Sequence, residues 1–203
     1  MHQTNESLKH IFICTTHLAF YQIEKICQDN NIHKKNVVII NTKNFKSYFI
    51  ERIENKFPTL KLDSPFPDGK LSRFLYLRKL FTTMKNRNLF ENSVFYIQNL
   101  DNYLCNWISS KSNFNYIEDG FLNIYGYNNK IKGKIRRYLK FIASISTGVL
   151  FDPFFLNSKK YQKPLYITFP SALVKSQKIY SEIKEITVWE TKKITIVVTL
   201  FSI

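Results

Sequence analysis

Short apolar runs, each ending in a polar tip and followed by apolar positions at helical spacing, recur along the chain. His10–Cys14 (HIFIC) reads as a buried first strand. Thr15 and Thr16 follow. His17–Gln28 then carries Leu18, Tyr21, Ile23, Ile26 and Cys27 for the inner face of a helix, with Thr16 as its N-cap. Lys34–Asn36 is a polar turn, and Val37–Ile40 (VVII) is apolar throughout, as a central parallel strand requires. This strand, helix, strand order is a βαβ unit. Asn44–Lys56 fits a helix on Phe45, Tyr48, Phe49 and Ile53, and Phe57–Gly69, rich in proline, reads as a loop. The spacing predicts a helix over Lys70–Arg87 with Leu71, Phe74, Leu75, Leu77, Leu80, Phe81 and Met84 facing inward.

The pattern then repeats. Ser93–Ile97 (SVFYI) is a strand, Gln98–Asp101 its tip, and Asn102–Ser110 a short helix on Leu104, Trp107 and Ile108. Phe114–Ile117 is a fourth strand, which stops at Glu118, Asp119 and Gly120. Lys130–Lys140 is a basic amphipathic helix. Its apolar stripe (Ile135, Tyr138, Leu139, Ile142) is expected to face the domain. Its charges, Lys130, Lys132, Lys134, Arg136, Arg137 and Lys140, would form a solvated face or bind an anionic surface. Leu165–Phe169 is a strand with a sharp exit, Gln177–Ile186 a helix, and Lys193–Ile203 an apolar strand running to the last residue. The fold class expected is α/β, a Rossmann-like layered domain with a mostly parallel sheet. Residues 1–190 form that domain, and residues 191–203 read as the start of a second, truncated one, because no βα step follows to cover the final strand.

Composition narrows the partners. The chain has 203 residues and is 44% hydrophobic and 16% aromatic, enough for a packed core. Its formal charge is +15, which favours anionic partners and also leaves much solvated lysine. No RNA-binding aromatic motif accompanies the charge, so nucleic acid is disfavoured. Cys14, Cys27 and Cys105 are odd in number and widely spaced, as buried thiols in a reducing compartment would be. A zinc site from Cys14, His17, Cys27 and His33 matches no established spacing. Met1–Lys9 is polar, and no apolar run approaches the ~20 residues of a membrane span, so the expected location is the cytoplasm, with a peripheral position on the inner membrane as an option.

Candidate chemistry sits at the strand tips. Ligands of open α/β sheets bind beyond the carboxyl ends of the strands, and adjacent carboxylates there suit proton transfer. The triplet Glu118-Asp119-Gly120 also fits an ordinary turn leading to a helix N-cap. Thr15 and Thr16 offer hydroxyls to phosphate or sugar oxygens at a helix N-terminus, or simply cap it. No glycine-rich fingerprint accompanies them, so a dinucleotide or P-loop site is unsupported.

Four stretches, IFICTTHLAFYQIEKI, QNLDNYL, NYIEDGFLNIY and YITFP, occur in an order that resembles bacterial sialyltransferases of the lipooligosaccharide type and the related capsular polysialyltransferases. The resemblance implies a two-domain glycosyltransferase with facing Rossmann-like halves (GT-B type). It implies inverting transfer of sialic acid from CMP-sialic acid to a cell-surface glycan, with no metal and no cofactor. Glu118 would be the general base, Asp119 would hold the acceptor or tune its neighbour, and Gly120 would permit the turn. Thr15, Thr16, Asn99 and Asp101, at the other strand tips, are the candidates for acceptor binding. The expected partners are a sugar nucleotide, an acidic glycan acceptor and an anionic membrane surface. One departure is plain. The donor-binding His-Pro motif of that family is absent, the last histidine being His33, so this chain by itself is expected to be inactive. Two other readings remain open: a basic membrane- or polyanion-binding module without catalysis, and a transferase of another nucleotide sugar.

Overall fold

The computed structural model describes residues 8–14, 16–41, 51, 54–60, 70–118, 131–145, 149–168 and 180–186. In chain order the elements are β1 (Lys9–Cys14), α1 (His17–Asp29), β2 (Val37–Asn41), β3 (Thr59–Leu60), α2 (Lys70–Asn86), β4 (Ser93–Ile97), α3 (Tyr103–Lys111), β5 (Asn113–Ile117), α4 (Ile131–Ile145), β6 (Lys163–Ile167) and β7 (Tyr180–Glu185). The strands form a 7-stranded sheet in the order β3-β2-β1-β4-β5-β6-β7, every neighbouring pair parallel. The expected α/β, Rossmann-like layered fold is the one found.

Both faces of the sheet are covered, which explains strands with no polar alternation. On one face Ile11, Ile13, Phe95, Ile97 and Tyr116 pack with Leu80 and Met84 of α2, Leu104 and Ile108 of α3, and Phe151 and Phe155 beyond α4. On the other, Phe12, Cys14, Ile39, Tyr96 and Tyr166 pack with Ala19, Phe20, Ile23 and Ile26 of α1. Asn106 of α3 clamps the segment after α4. Its Nδ2 donates to Asp152 O at 3.0 Å and to Leu100 O at 3.2 Å, and its Oδ1 accepts from Asp152 N at 2.7 Å.

With only 5 glycines in the chain, asparagine takes the left-handed position after two of the helices. Asn31 (φ 52°) follows α1 and Asn88 (φ 50°) follows α2. In each case the next residue donates back into the last turn, Ile32 N to Cys27 O at 2.8 Å and Leu89 N to Met84 O at 3.0 Å. Asparagine is the residue other than glycine that best tolerates this left-handed position.

Five expectations need correction, beginning with α4, whose apolar stripe (Ile135, Tyr138, Leu139, Ile142) is more than half exposed and does not face the domain, because the polar side chains of Arg137 and Ser144 are the buried ones. The inner face of α1 is Ala19, Phe20, Gln22, Ile23, Ile26 and Cys27, while Leu18 and Tyr21 are half-buried, because the helix is rotated to put Phe20 against the sheet. Leu75 of α2 is 62% exposed, turned away from the core that Leu80, Phe81 and Met84 enter, and the side chains of Leu71 and Phe74 lie outside the described ones. Thr59–Leu60, read as loop, forms a short edge strand on β2. Residues 180–185, read as helix, form β7, parallel to β6. Glu and Lys at three of its six positions raise helix propensity, but the open edge of β6 supplies a hydrogen-bonding partner that outweighs it. The charged residues then blunt the new edge. The expected helix over 44–56 lies largely, and the strand over 193–203 wholly, outside the described residues.

Candidate functional site at the carboxyl edge

The chain crosses from β1 to β2 on one side and from β4 to β5 on the other. The carboxyl ends of β1 and β4 therefore flank the point where strand order reverses, which is where such sheets open a crevice. A polar cluster occupies this edge. Thr16 lies beyond β1, Gln98 beyond β4, Glu118 beyond β5 and Thr168 beyond β6, and Gln22 reaches in from α1.

Thr16 caps α1, its Oγ1 accepting from Ala19 N at 3.2 Å. The same oxygen accepts from Gln98 Nε2 at 2.9 Å, and Gln98 Nε2 also lies 3.3 Å from Glu118 O. Glu118 is 1% exposed. Its backbone N–H continues the sheet by donating to Tyr166 O at 3.0 Å. Its Oε2 accepts from Thr168 N at 2.8 Å and from Gln22 Nε2 at 3.1 Å. Gln22 Nε2 donates to Thr168 Oγ1 as well, at 3.1 Å. Gln22 is fully buried, and its Oε1 has no hydrogen-bond partner among the described residues. A buried acceptor left open beside a carboxylate is uncommon, because an unmade hydrogen bond in a dry environment costs about 1–3 kcal/mol.

Of the expected site residues, Glu118 and Thr16 come together here, linked through Gln98. Asp119, Gly120 and Thr15 lie outside the described residues. Asn99 and Asp101 sit on the neighbouring β4 tip with local work to do. Asn99 Oδ1 accepts from Asn102 N at 2.9 Å in the turn before α3, and Asp101 lies 3.7 Å from Lys140 Nζ of α4. Gln22, Gln98 and Thr168 were not singled out in the sequence. Two glutamines and a threonine carry no motif. The only signal was that Gln22 interrupts the apolar face of α1.

The basic set on α4 divides. Arg137 is 5% exposed and sits over the Phe155 ring, 5.7 Å from its centroid. Lys140 Nζ donates to Asp101 O at 2.6 Å and lies over Phe151, 5.3 Å from its centroid. Burial lowers the Lys140 pKa from its ordinary value, and Asp101 opposes the shift. Lys134 and Arg136 are exposed. Lys130 is outside the described residues, as is the side chain of Lys132. The six charges are thus not one anion-binding face.

Among the described residues no group of three or more His, Cys, Asp or Glu could hold a metal ion. Cys14, Cys27 and Cys105 are buried thiols that form no disulfide among the described residues. No helix among the described residues is long and apolar enough to cross a membrane. Compared with known proteins, the chain matches no family model and no curated protein.

Proposed function

We propose that the chain is the acceptor-side half of a glycosyltransferase that moves sialic acid from CMP-sialic acid to a glycan hydroxyl with inversion. The observation that carries the reading is Glu118. A buried carboxylate is fixed at the carboxyl edge of a Rossmann-like sheet, with the unfilled Gln22 Oε1 beside it. An acceptor hydroxyl needs an oxygen to take its proton and others to align it. In this scheme the hydroxyl oxygen bonds to the anomeric carbon of sialic acid, the bond to the CMP phosphate oxygen breaks, the proton passes to Glu118 and CMP leaves. The transition state is oxocarbenium-like, and the scheme needs no metal. Gln22 and Thr168 hold the carboxylate. The protein then works in the cytoplasm on a lipooligosaccharide or capsule acceptor.

The resemblance of the four segments quoted above supports the sialic acid donor, and the fold supports transfer from a nucleotide sugar generally. The test is sialic acid transfer in protein that carries a donor-binding half. Glu118→Gln should lower turnover by about 10²–10⁴-fold with circular dichroism unchanged. Full turnover in that variant overturns the base assignment. Transfer from other nucleotide sugars but not from CMP-sialic acid overturns the donor.

A further inference from the structure

We propose that the outer face of α4 docks on an anionic lipid bilayer. The helix is mounted with its amphipathicity reversed. Gly133, Arg137, Lys140 and Ser144 face the domain, whereas Ile135, Tyr138, Leu139, Ile142 and Ile145 face away from it, each more than half exposed and Leu139 60% so. The inward face is held by polar bonds. Lys140 reaches Asp101, the Tyr103 hydroxyl donates to Lys140 O, and Ser144 Oγ accepts from Phe151 N at 2.9 Å. Phe154, 64% exposed, adds to the outer apolar surface beside Ile135, Tyr138 and Leu139. A cleft of about 650 Å³ opens between α4 and residues 153–157. A contiguous apolar surface of this kind marks an interface.

Charge selects the occupant. Lys134 and Arg136 are exposed on either side of the apolar stripe. From Phe121 to Ser181 the sequence holds eleven lysines and arginines and one acidic residue, Asp152. Asp152 is already engaged, accepting from the Tyr161 hydroxyl and from Phe154 N, both at 2.8 Å. An apolar stripe rimmed by basic residues, on a helix too short to span, is the pattern of helices that lie in the plane of the interface. A second copy of this chain would bring the same positive rim against itself, and like charges across an interface are unfavourable. Anionic headgroups match the rim, and acyl chains match the stripe. Lys140 ties the inner side of α4 to Asp101, three residues beyond Gln98, so the docking helix is anchored to the tip of β4. The inference does not depend on the transfer chemistry.

The experiment is sedimentation of the full chain with vesicles of phosphatidylcholine alone and of phosphatidylcholine mixed with phosphatidylglycerol. Size-exclusion chromatography of the same samples runs in parallel. The expected result is pelleting with the mixed vesicles only, weakening as salt is added. Neutralising Lys134 and Arg136 to Gln should weaken binding roughly fivefold for each charge removed. Leu139→Asn with Ile142→Asn should abolish it, with circular dichroism unchanged. Failure to pellet with the mixed vesicles overturns the proposal, as does pelleting that the Asn pair leaves intact. A dimer that the Asn pair dissociates, in a chain that ignores vesicles, assigns the face to a second copy instead.

Discussion

Gln22 Nε2 lies 3.1 Å from Glu118 Oε2, so a helix that begins the domain holds a carboxylate 96 positions further on. The contact joins α1 to the ends of β5 and β6, because the same amide also reaches Thr168 Oγ1. Three segments distant in sequence depend on one side chain whose own oxygen has no hydrogen-bond partner among the described residues.

Gln22→Leu is therefore expected to destabilise by about 1–3 kcal/mol, read as a lower urea midpoint at constant slope. The leucine fills similar volume but leaves Glu118 Oε2 with Thr168 N as its remaining donor among the described residues. Gln22→Leu combined with Glu118→Leu should recover part of the loss, since removing both partners of a buried polar pair costs less than removing one. A double variant as unstable as the sum of the singles would show that the two side chains act separately.

The mounting of α4 inverts the usual ranking of core and surface substitutions. Ser144→Ala leaves the buried Phe151 N–H without the oxygen that it donates to, and should cost about 1–3 kcal/mol. Leu139→Gln changes an apolar residue for a polar one on the outer face, and should stay within about 0.5 kcal/mol. Denaturant unfolding of the two variants at one temperature checks both. A large loss at Leu139 with none at Ser144 would mean that the apolar stripe is the packed face.

The alternation of apolar run, polar tip and helical stretch made the sheet legible, because strands covered on both faces must be apolar throughout. HIFIC, VVII and SVFYI stand out for that reason. The strand β7 was not legible, since YSEIKE at an edge buries little and owes its state to the open side of β6. The orientation of α4 was not legible either. A periodic stripe shows that a helix has an apolar face but not which way that face points, and the polar clamps on Asp101 and Phe151 that decide it come from distant segments. At the candidate site Glu118 was visible as an acid ending a strand. Its depth was not, because Gln22, Gln98 and Thr168 assemble only through the sheet order β1-β4-β5-β6.

Both cysteines on the α1 side of the sheet predict how stability varies with pH. Cys14 is fully buried and Cys27 nearly so, and burial pushes each thiol from its ordinary value of 9.0 up to about 12. The Glu24 charge adds to the shift at Cys27, while a hydrogen bond with the Thr16 backbone opposes it at Cys14. Below pH 9 both thiols are protonated in the folded and the unfolded chain, and their contribution to stability is fully present. Between pH 9 and pH 12 the unfolded chain has lost protons that the folded chain keeps, so stability falls as pH rises. The slope approaches about 1.4 kcal/mol per pH unit for each thiol. Tyr96 and Tyr116, also raised by burial, act in the same direction once the unfolded phenols ionise above 10.0. The urea midpoint should thus decline steadily through this window, and Cys27→Ala should make the decline shallower by the share of one thiol. Native protein at pH 9 should react with a thiol reagent only as fast as it opens, whereas urea-unfolded protein reacts at once. Fast native labelling, or a midpoint that stays level from pH 9 to pH 12, would place these thiols in contact with solvent.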